Sequence, residues 1–427
     1  MVRIGAIGCI AVMLLINWIA TVIAGVFVLG IFVWLGNLNI IAPILTMFFL
    51  TTYGVLNVSA GVERFLGSPS FRPQFKVHWS LSLLGAVGCA AVMFLINWVA
   101  TVVAAVCVLG IFLWLERRGM EAAWGDVRRG IWMAITRAGL LRLRAPKEGP
   151  GAKNWRPHIL VLSGAPTRRW HLIDLASSIA HNKALMTVAT VLPGGQPAER
   201  VQTLAANIHD YLGKRAIQAL VRVITAPNHY VGAERLVESY GLGALVPNTV
   251  LLGTNEEPEL RQRYCGMIAR FHAEQRNVVV VREGNGDEFG DRERIDVWWG
   301  GLKGNGGLMM ILAYLLSTSL SWRGARVNLK MVVADEGAAE DAQANIEAIV
   351  ARTRTGAVPD VIAADGREFD AILREESSDA DLVMMGLQEP GEDFADYYTR
   401  LMERTAGMPT IMYVLAAEPI PFGEVLE

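Results

Sequence analysis

Residues 85–115 read GAVGCAAVMFLINWVATVVAAVCVLGIFLWL, thirty-one positions without a single charged side chain. One helix needs roughly 20 apolar residues to cross a bilayer, so this run is long enough by itself. Residues 5–35 read GAIGCIAVMLLINWIATVIAGVFVLGIFVWL, the same text eighty positions earlier, with 23 identities in 31. The differences are almost all apolar for apolar. A repeat of this kind identifies a membrane part, and it places two near-copies where one fold has room for only one of them in the same seat.

Working outward, a further apolar region lies at 39–62, NIIAPILTMFFLTTYGVLNVSAGV, with Pro43 and Gly54 inside it. The apolar stretch around the second copy extends over 79–115. It is too long for one span and suits two short ones, with a turn near Asn97–Trp98. Up to residue 115 the only acid is Glu63, and the bases are Arg3, Arg64, Arg72 and Lys76. Beyond it, charge is spread as in an ordinary globular chain. The sequence therefore divides into transmembrane helices over 1–116, an amphipathic connector over 117–152, and two α/β half-domains over 153–290 and 291–427. Both parts are long enough for cores of their own. Net charge is −2 and gives no support for nucleic-acid binding. Cys9, Cys89, Cys107 and Cys265 form no C-x-x-C pair and read as buried small hydrophobes.

Basic residues set the expected direction of insertion. Arg117, Arg118, Arg128, Arg129, Arg137, Arg142, Arg144 and Lys147 follow the last apolar run, and Arg72 and Lys76 sit in the loop at 66–78. Both segments are expected on the cytoplasmic side, with the uncharged turn Gly36–Asn39 outside. Arg3 then favours a single tilted span for 5–35 over a hairpin. Arg3 ahead of an apolar run also resembles a signal peptide. The run continues to Leu35 without a clear cleavage site, so a retained anchor is expected. In the connector, Val127, Ile131, Ile135, Ala138 and Leu141 recur at helical spacing, with arginines read as opposite. Ile131 and Ile135 are the candidate homodimer contacts.

From Arg156 onward, short apolar runs alternate with helical patterns. Strands are predicted at 158–164, 185–192, 217–224, 248–253, 277–283, 294–300, 326–333, 359–365, 381–387 and 410–416. Fully apolar short strands separated by helices point to parallel sheets covered on both faces. Ten strands make two half-domains, meeting near Gly284–Arg294.

No sequence matches G-x-x-x-x-G-K-[ST], and no G-x-G-x-x-G follows the first strand. Two places remain as candidate anion or cofactor contacts. Gly164 and Thr167 sit in the loop after the first strand, a common ligand position in open sheets. Gly306 and Gly307 open a predicted helix, whose N-terminus attracts anions. The seven histidines show no metal-ligand spacing beside a carboxylate, and no nucleophile, base and orienting acid assemble. Neither a bound cofactor nor enzymatic activity is expected. Asp296-Val297-Trp298-Trp299 reads as two tryptophans packing at a strand end. Asn57-Val58-Ser59 matches the glycosylation pattern but falls within an apolar span.

Several stretches, in order and spacing, resemble the cation–chloride cotransporters, the electroneutral sodium/potassium–chloride symporter family. They are NLNIIAPILTMFFLTTYGVLN (37–57), SPSFRPQFK (68–76), SLLGAVGCAAVMFLINW (82–98), VLGIFLWL (108–115), AWGD (123–126), KNWRPHILVLSGAP (153–166), RIDVWWGG (294–301) and GGLMMILAYLLS (306–317). The resemblance implies the last spans of a membrane transporter of chloride with potassium or sodium. These lead into a cytoplasmic regulatory domain that dimerises and has tandem halves like universal stress proteins. The spans that hold the ions in that family have no counterpart in this sequence, so no ion-site residue carries over. The expectation is a membrane α-helical part of three to five spans followed by a cytoplasmic α/β part. Such a chain would be regulatory and dimerising in the cell membrane, conducting no ions by itself and partnered by the bilayer, a second copy and a separate chain with the remaining spans. The alternative is a membrane-anchored cytoplasmic ligand-binding or signalling module of universal-stress type.

Overall fold

The computed structural model describes residues 38–66, 77–117, 127–143, 155–181, 183–255, 257–284, 289–300 and 304–417, with Val22, Gly25, Val26 and Gly30 as isolated helical positions. The first repeat copy as a unit, the segment 68–76 and the segment 123–126 lie outside the described residues. The chain divides into two compact units, Met1–Gly139 and Leu140–Glu427.

The first unit is helical. Helix α1 spans Leu38–Leu66, α2 Trp79–Ile96 and α3 Trp98–Arg117. Past Pro43, Leu45–Leu66 is long and apolar enough to cross a membrane, as is α2, whereas Trp98–Trp114 is apolar but shorter. Among the described residues two helices of spanning length are thus present, against three to five expected spans. The break at Asn97 has a local cause. Its backbone is extended, with φ −161° and ψ 105°. Its side-chain Oδ1 accepts from Ala100 N at 3.0 Å, capping the next helix.

Helices α1 and α2 run antiparallel and meet through small residues. A Cβ on Gly54 would lie 3.7 Å from Cys89 Cβ, one on Gly85 3.2 Å from Asn57 Oδ1, and one on Gly61 3.0 Å from Leu83. Small residues at these positions let two backbones approach closely, the usual basis of helix pairing where no water drives association. Thr51 returns its hydroxyl to Met47 O at 2.8 Å, satisfying itself within its own helix. Asn57 thus faces α2 within a helix of spanning length. Helix α4, Val127–Arg142, follows. Ile131 and Ile135 are 36% and 52% exposed. Arg142 is seven residues after Ile135, two helical turns on, so it shares that face, and the expected separation of apolar and basic sides is not clean.

The second unit is a ten-stranded sheet between two layers of helices. In chain order it runs β1 Ile159–Leu162, α5 Trp170–Ala180, β2 Met186–Pro193, α6 Ala198–Gly213, β3 Leu220–Ala226, α7 His229–Ser239, β4 Thr249–Gly253, α8 Arg261–Ala273 and β5 Asn277–Arg282. It continues with β6 Arg294–Trp298, α9 Asn305–Ser317, β7 Arg326–Val333, α10 Glu336–Thr353, β8 Val358–Ala363, α11 Phe369–Glu376, β9 Leu382–Gly386, α12 Phe394–Arg404 and β10 Ile411–Leu415. Each predicted stretch overlaps one of these strands; β2 and β3 run one and two residues past the predicted ends, and β8 starts one residue before the predicted start.

Strand order is β3-β2-β1-β4-β5-β10-β9-β6-β7-β8. The two halves have the same internal order, third-second-first-fourth-fifth, and join through their fifth strands. Within each half every pair is parallel, as expected, and the junction adds an antiparallel pair. β5 and β10 pair antiparallel, with Ile411 opposite Arg282 and Leu415 opposite Val278, while the other pairs are parallel. Two equivalent halves related by a two-fold must present identical edges in opposite directions, and an antiparallel join follows. A short strand apolar on both faces reads the same for either partner direction, so the sequence was silent on it.

Alternation along each strand feeds two cores. Ile159, Val161, Leu251, Val279, Val297 and Met384 face α5, α6, α9 and α10. Leu160, Val250, Val280, Val383, Tyr413 and Leu415 face α7, α8, α11 and α12. The halves are stitched on both faces. Helix α5 packs against α9 and α8 against α12, with the Tyr264 and Tyr398 rings 5.7 Å apart. Arg282 Nη1 also donates to Met402 O at 2.7 Å and Thr405 Oγ1 at 2.9 Å.

Candidate functional site

In each half the first strand is flanked by the second and the fourth, so the winding reverses between the first and fourth strands. Crevices at the carboxyl ends of strands at such a reversal are where open α/β sheets take ligands. Because the halves are antiparallel, the two crevices lie at opposite ends of the sheet.

The first crevice is built on the β1–α5 loop. Gly164 has φ +64°, a conformation that favours glycine and turns the chain sharply off the strand. Its carbonyl accepts from Thr190 Oγ1 at 2.6 Å, fixing the loop to β2, while His229 Nδ1 at the head of α7 donates to Val191 O of β2 at 3.0 Å. Between this loop and α6 is a cavity of about 480 Å³ lined by Gly164, Thr167, Pro193, Leu204, Tyr211 and others, mostly apolar. The Arg215 guanidinium lies 3.9 Å from the centre of the Tyr211 ring and 5.0 Å from that of Trp170.

Beside the loop, at the end of β4, Arg169 crosses Gly253. A Cβ there would lie 3.4 Å from Arg169 Nη1. Arg169 is exposed and forms no ion pair with a described residue. Tyr264 Oη donates to Gly253 O at 2.9 Å, and the Asn255 amide bonds Tyr230 Oη. Burial raises the Tyr230 phenol above its ordinary pKa. His171, buried under this loop, pairs through Nδ1 with Glu283. Burial lowers the His171 pKa most, Glu283 opposes that, and the Arg169 charge adds to the lowering. Within this crevice Arg169 does not line the apolar cavity; its guanidinium lies instead over Gly253 at the end of β4. Sequence reading placed Gly164 and Thr167 here. It missed Arg169, Gly253 and Tyr230, although a glycine closing the fourth strand was a legible sign of close approach.

The second crevice has the same plan with a different closure. Gly304 has φ +67° and precedes α9. Asn305, the counterpart of Arg169, crosses Gly386, the counterpart of Gly253. A Cβ on Gly386 would lie 2.9 Å from Asn305 Nδ2. Asn305 Nδ2 donates to Leu387 O at 2.6 Å and its Oδ1 accepts from Ala416 N at 2.7 Å, tying α9 to the ends of β9 and β10. Gly306 lines a cavity of about 640 Å³ with Trp298, Trp299, Met309, Phe369, Met385 and Tyr397. Gly307 is buried inside the helix and does not line it. Gly164 and Thr167 thus line the first cavity and Gly306 the second.

Beneath the second crevice lies a buried polar network. Asp296 is fully buried and accepts from Arg294 Nε and Nη2 at 3.1 Å each, Asn328 Nδ2 at 2.8 Å and Ser377 Oγ at 2.8 Å. Ser377 Oγ in turn accepts from Trp298 Nε1 at 3.1 Å. Lys330 Nζ reaches Asp360 at 2.5 Å and Glu376 at 3.0 Å. Every acceptor on Asp296 is used, so the network holds β6, β7 and α11 in place. The tryptophans of the predicted tetrapeptide are core residues that also wall the cavity. Among the described residues no three histidine, cysteine or acidic side chains group as metal ligands.

Residues 169–290 match the family model of solute carrier family 12. Over 64% of its length the chain is similar to the crystal structure of the cytoplasmic domain of a prokaryotic cation chloride cotransporter, covering 99% of that chain at 17% identity with a TM-score of 0.48. Over 61% it is similar to a universal stress protein from Archaeoglobus fulgidus DSM 4304, covering 97% of that chain at 12% identity with a TM-score of 0.40. The stretch matched to solute carrier family 12 begins at Arg169, at the head of α5, and runs through β4 and β5 of the first half.

Proposed function

We propose that this chain is a membrane-anchored part of a cation–chloride cotransporter of solute carrier family 12, with the α/β unit as its cytoplasmic regulatory and dimerising domain. The observation that carries this reading is the family match over residues 169–290, in a chain that also has helices long and apolar enough to span a bilayer. The ion path in this reading belongs to spans outside this sequence, and potassium or sodium with chloride is the cargo of the assembled transporter. The chain alone therefore moves no ions. Reconstituted into liposomes, it should give chloride-dependent rubidium uptake equal to that of empty vesicles, and uptake above that level refutes the reading.

A second reading rests on the first crevice, which has an apolar cavity and, over Gly253, an Arg169 that forms no ion pair with a described residue. In it the α/β unit is a ligand-binding or signalling module for a small anion-bearing molecule such as a nucleotide. Calorimetric titration with ATP separates the two. Heat of binding that disappears in Arg169→Ala favours the second, and no heat favours the first.

A further inference from the structure

Helix α4 carries charge of one sign beside the end of a helix of membrane-spanning length. Its sequence, VRRGIWMAITRAGLLR, holds arginines and no acid. Gly130 seats it against α1. A Cβ there would lie 3.0 Å from Leu66 Cδ1, and Leu66 is the last residue of α1. Arg64 stands in the same last turn. In the membrane-anchored chain proposed above, on which this inference rests, the first turn of α4 therefore lies where the apolar helix Leu45–Leu66 leaves the bilayer.

At about 100° per residue, Arg129, Trp132, Met133, Thr136 and Arg137 share one face of α4, centred about 150° from Ile131 and Ile135. Gly130, seven residues before Arg137, borders that face. Trp132 is 68% exposed and Met133 62%. Arg129 and Arg137 are exposed as well. A helix facing plain water gains nothing by showing a tryptophan and a methionine between two arginines. At headgroup depth the mixture is favourable. Tryptophan rings prefer that boundary. Arginine stems lie along apolar surface while the guanidinium reaches the polar layer, where it meets phosphate oxygens in bidentate pairs. A second copy suits this face poorly. A two-fold contact places the same patch on both sides, so arginine would meet arginine with no acid in α4 to offset it.

We propose that the Arg129–Arg137 face of α4 binds anionic phospholipid headgroups, with Trp132 and Met133 at the boundary and both guanidinium groups on lipid oxygens. Ile131 and Ile135 stay free for a second copy. The mixing of apolar and basic side chains around α4 is then a feature of its seat. The anionic content of the leaflet sets how firmly the connector to the α/β unit is held down.

The test uses the full chain with Cys9, Cys89 and Cys107 changed to Ser and Cys265 to Ala. It is placed in nanodiscs of phosphatidylcholine alone, or of phosphatidylcholine with phosphatidylserine as the minority lipid. Met133→Cys reports the face, and Ser378→Cys, exposed on the α/β unit, is the control. The rate of reaction with an uncharged maleimide is followed by mass spectrometry. Each arginine near an anionic surface is worth about fivefold in occupancy, so labelling at 133 should slow by about tenfold or more in the anionic discs. The control should label equally in both. Arg129→Gln with Arg137→Gln should bring the rate at 133 in anionic discs to within about twofold of the neutral value. Equal rates at 133 in the two lipids, slowing that survives the glutamine changes, or equal slowing at the control overturns the proposal. A chain that a high-salt wash strips from both discs overturns the membrane anchoring with it. A chain that stays in both discs and labels equally overturns this inference alone.

Discussion

Replacing Asp296 by alanine should cost the α/β unit about 3–5 kcal/mol, the usual effect of removing one partner from a buried ion pair. The figure is set by what remains behind. Asn328 and Ser377 each lose a charged acceptor at 2.8 Å, inside a region closed to water. Arg294 loses two bonds but keeps Glu376 O at 2.6 Å, and its side chain is 31% exposed, so solvent compensates part of its loss. That compensation puts the expectation near the lower end of the range. Asp296→Asn preserves shape and one acceptor oxygen and should cost about half as much. Against a typical ~5–15 kcal/mol of total stability, both changes are large. Urea unfolding of a fragment comprising residues 150–427, followed by tryptophan fluorescence, measures them. That fragment should itself be soluble and unfold cooperatively, because both sheet faces are covered by its own helices. An alanine variant that loses under about 1 kcal/mol, or an asparagine variant as costly as alanine, refutes the assignment of a charged structural hub.

Three further outcomes follow from other parts of the molecule. His171 has a pKa lowered chiefly by burial, so the unfolded chain takes up its proton first. Stability is complete above the unfolded value near 6.5 and falls as pH drops below it, by at most ~1.36 kcal/mol per pH unit. His171→Gln should flatten that slope, and an unchanged slope in acid denaturation counts against the burial argument. A Cβ on Gly54 would sit 3.7 Å from that of Cys89, inside the ~3.5–4.5 Å of a disulfide, so Gly54→Cys should cross-link to Cys89 on oxidation. Failure to do so in membranes would mean that α1 and α2 pack differently. Ile131→Asp with Ile135→Asp should convert a dimer in detergent into a monomer by light scattering, since an unpartnered buried carboxylate costs several kcal/mol. A wild type that is already monomeric removes the dimer.

What the sequence made legible were features with a local cause. Strands such as Asn277–Arg282 and Ile411–Leu415 are short, apolar and bounded by turns, so their positions could be read directly. The break at Asn97 was legible because an asparagine interrupts a long apolar run and can cap the helix that follows. The antiparallel join of β5 and β10 was not, since it comes from how two halves meet. The crevices were half legible for the same reason. Gly164 lies on the first loop of its half and Gly306 in the first turn of α9, but Arg169 over Gly253 and Asn305 over Gly386 are meetings of residues some eighty positions apart. The Asp296 network escaped notice because Arg294, Asn328 and Ser377 converge only once β6, β7 and α11 are assembled.

The central claim is that a membrane-held helical part carries this α/β unit on the cytoplasmic face. Limited proteolysis of sealed membrane vesicles of known orientation, probed for an epitope placed after Glu427, tests it most directly. The account predicts that inside-out vesicles lose the epitope-bearing α/β unit to protease, that right-side-out vesicles protect it, and that a high-salt wash leaves it in the pellet. Digestion from the outer face, or release by salt alone, would contradict it.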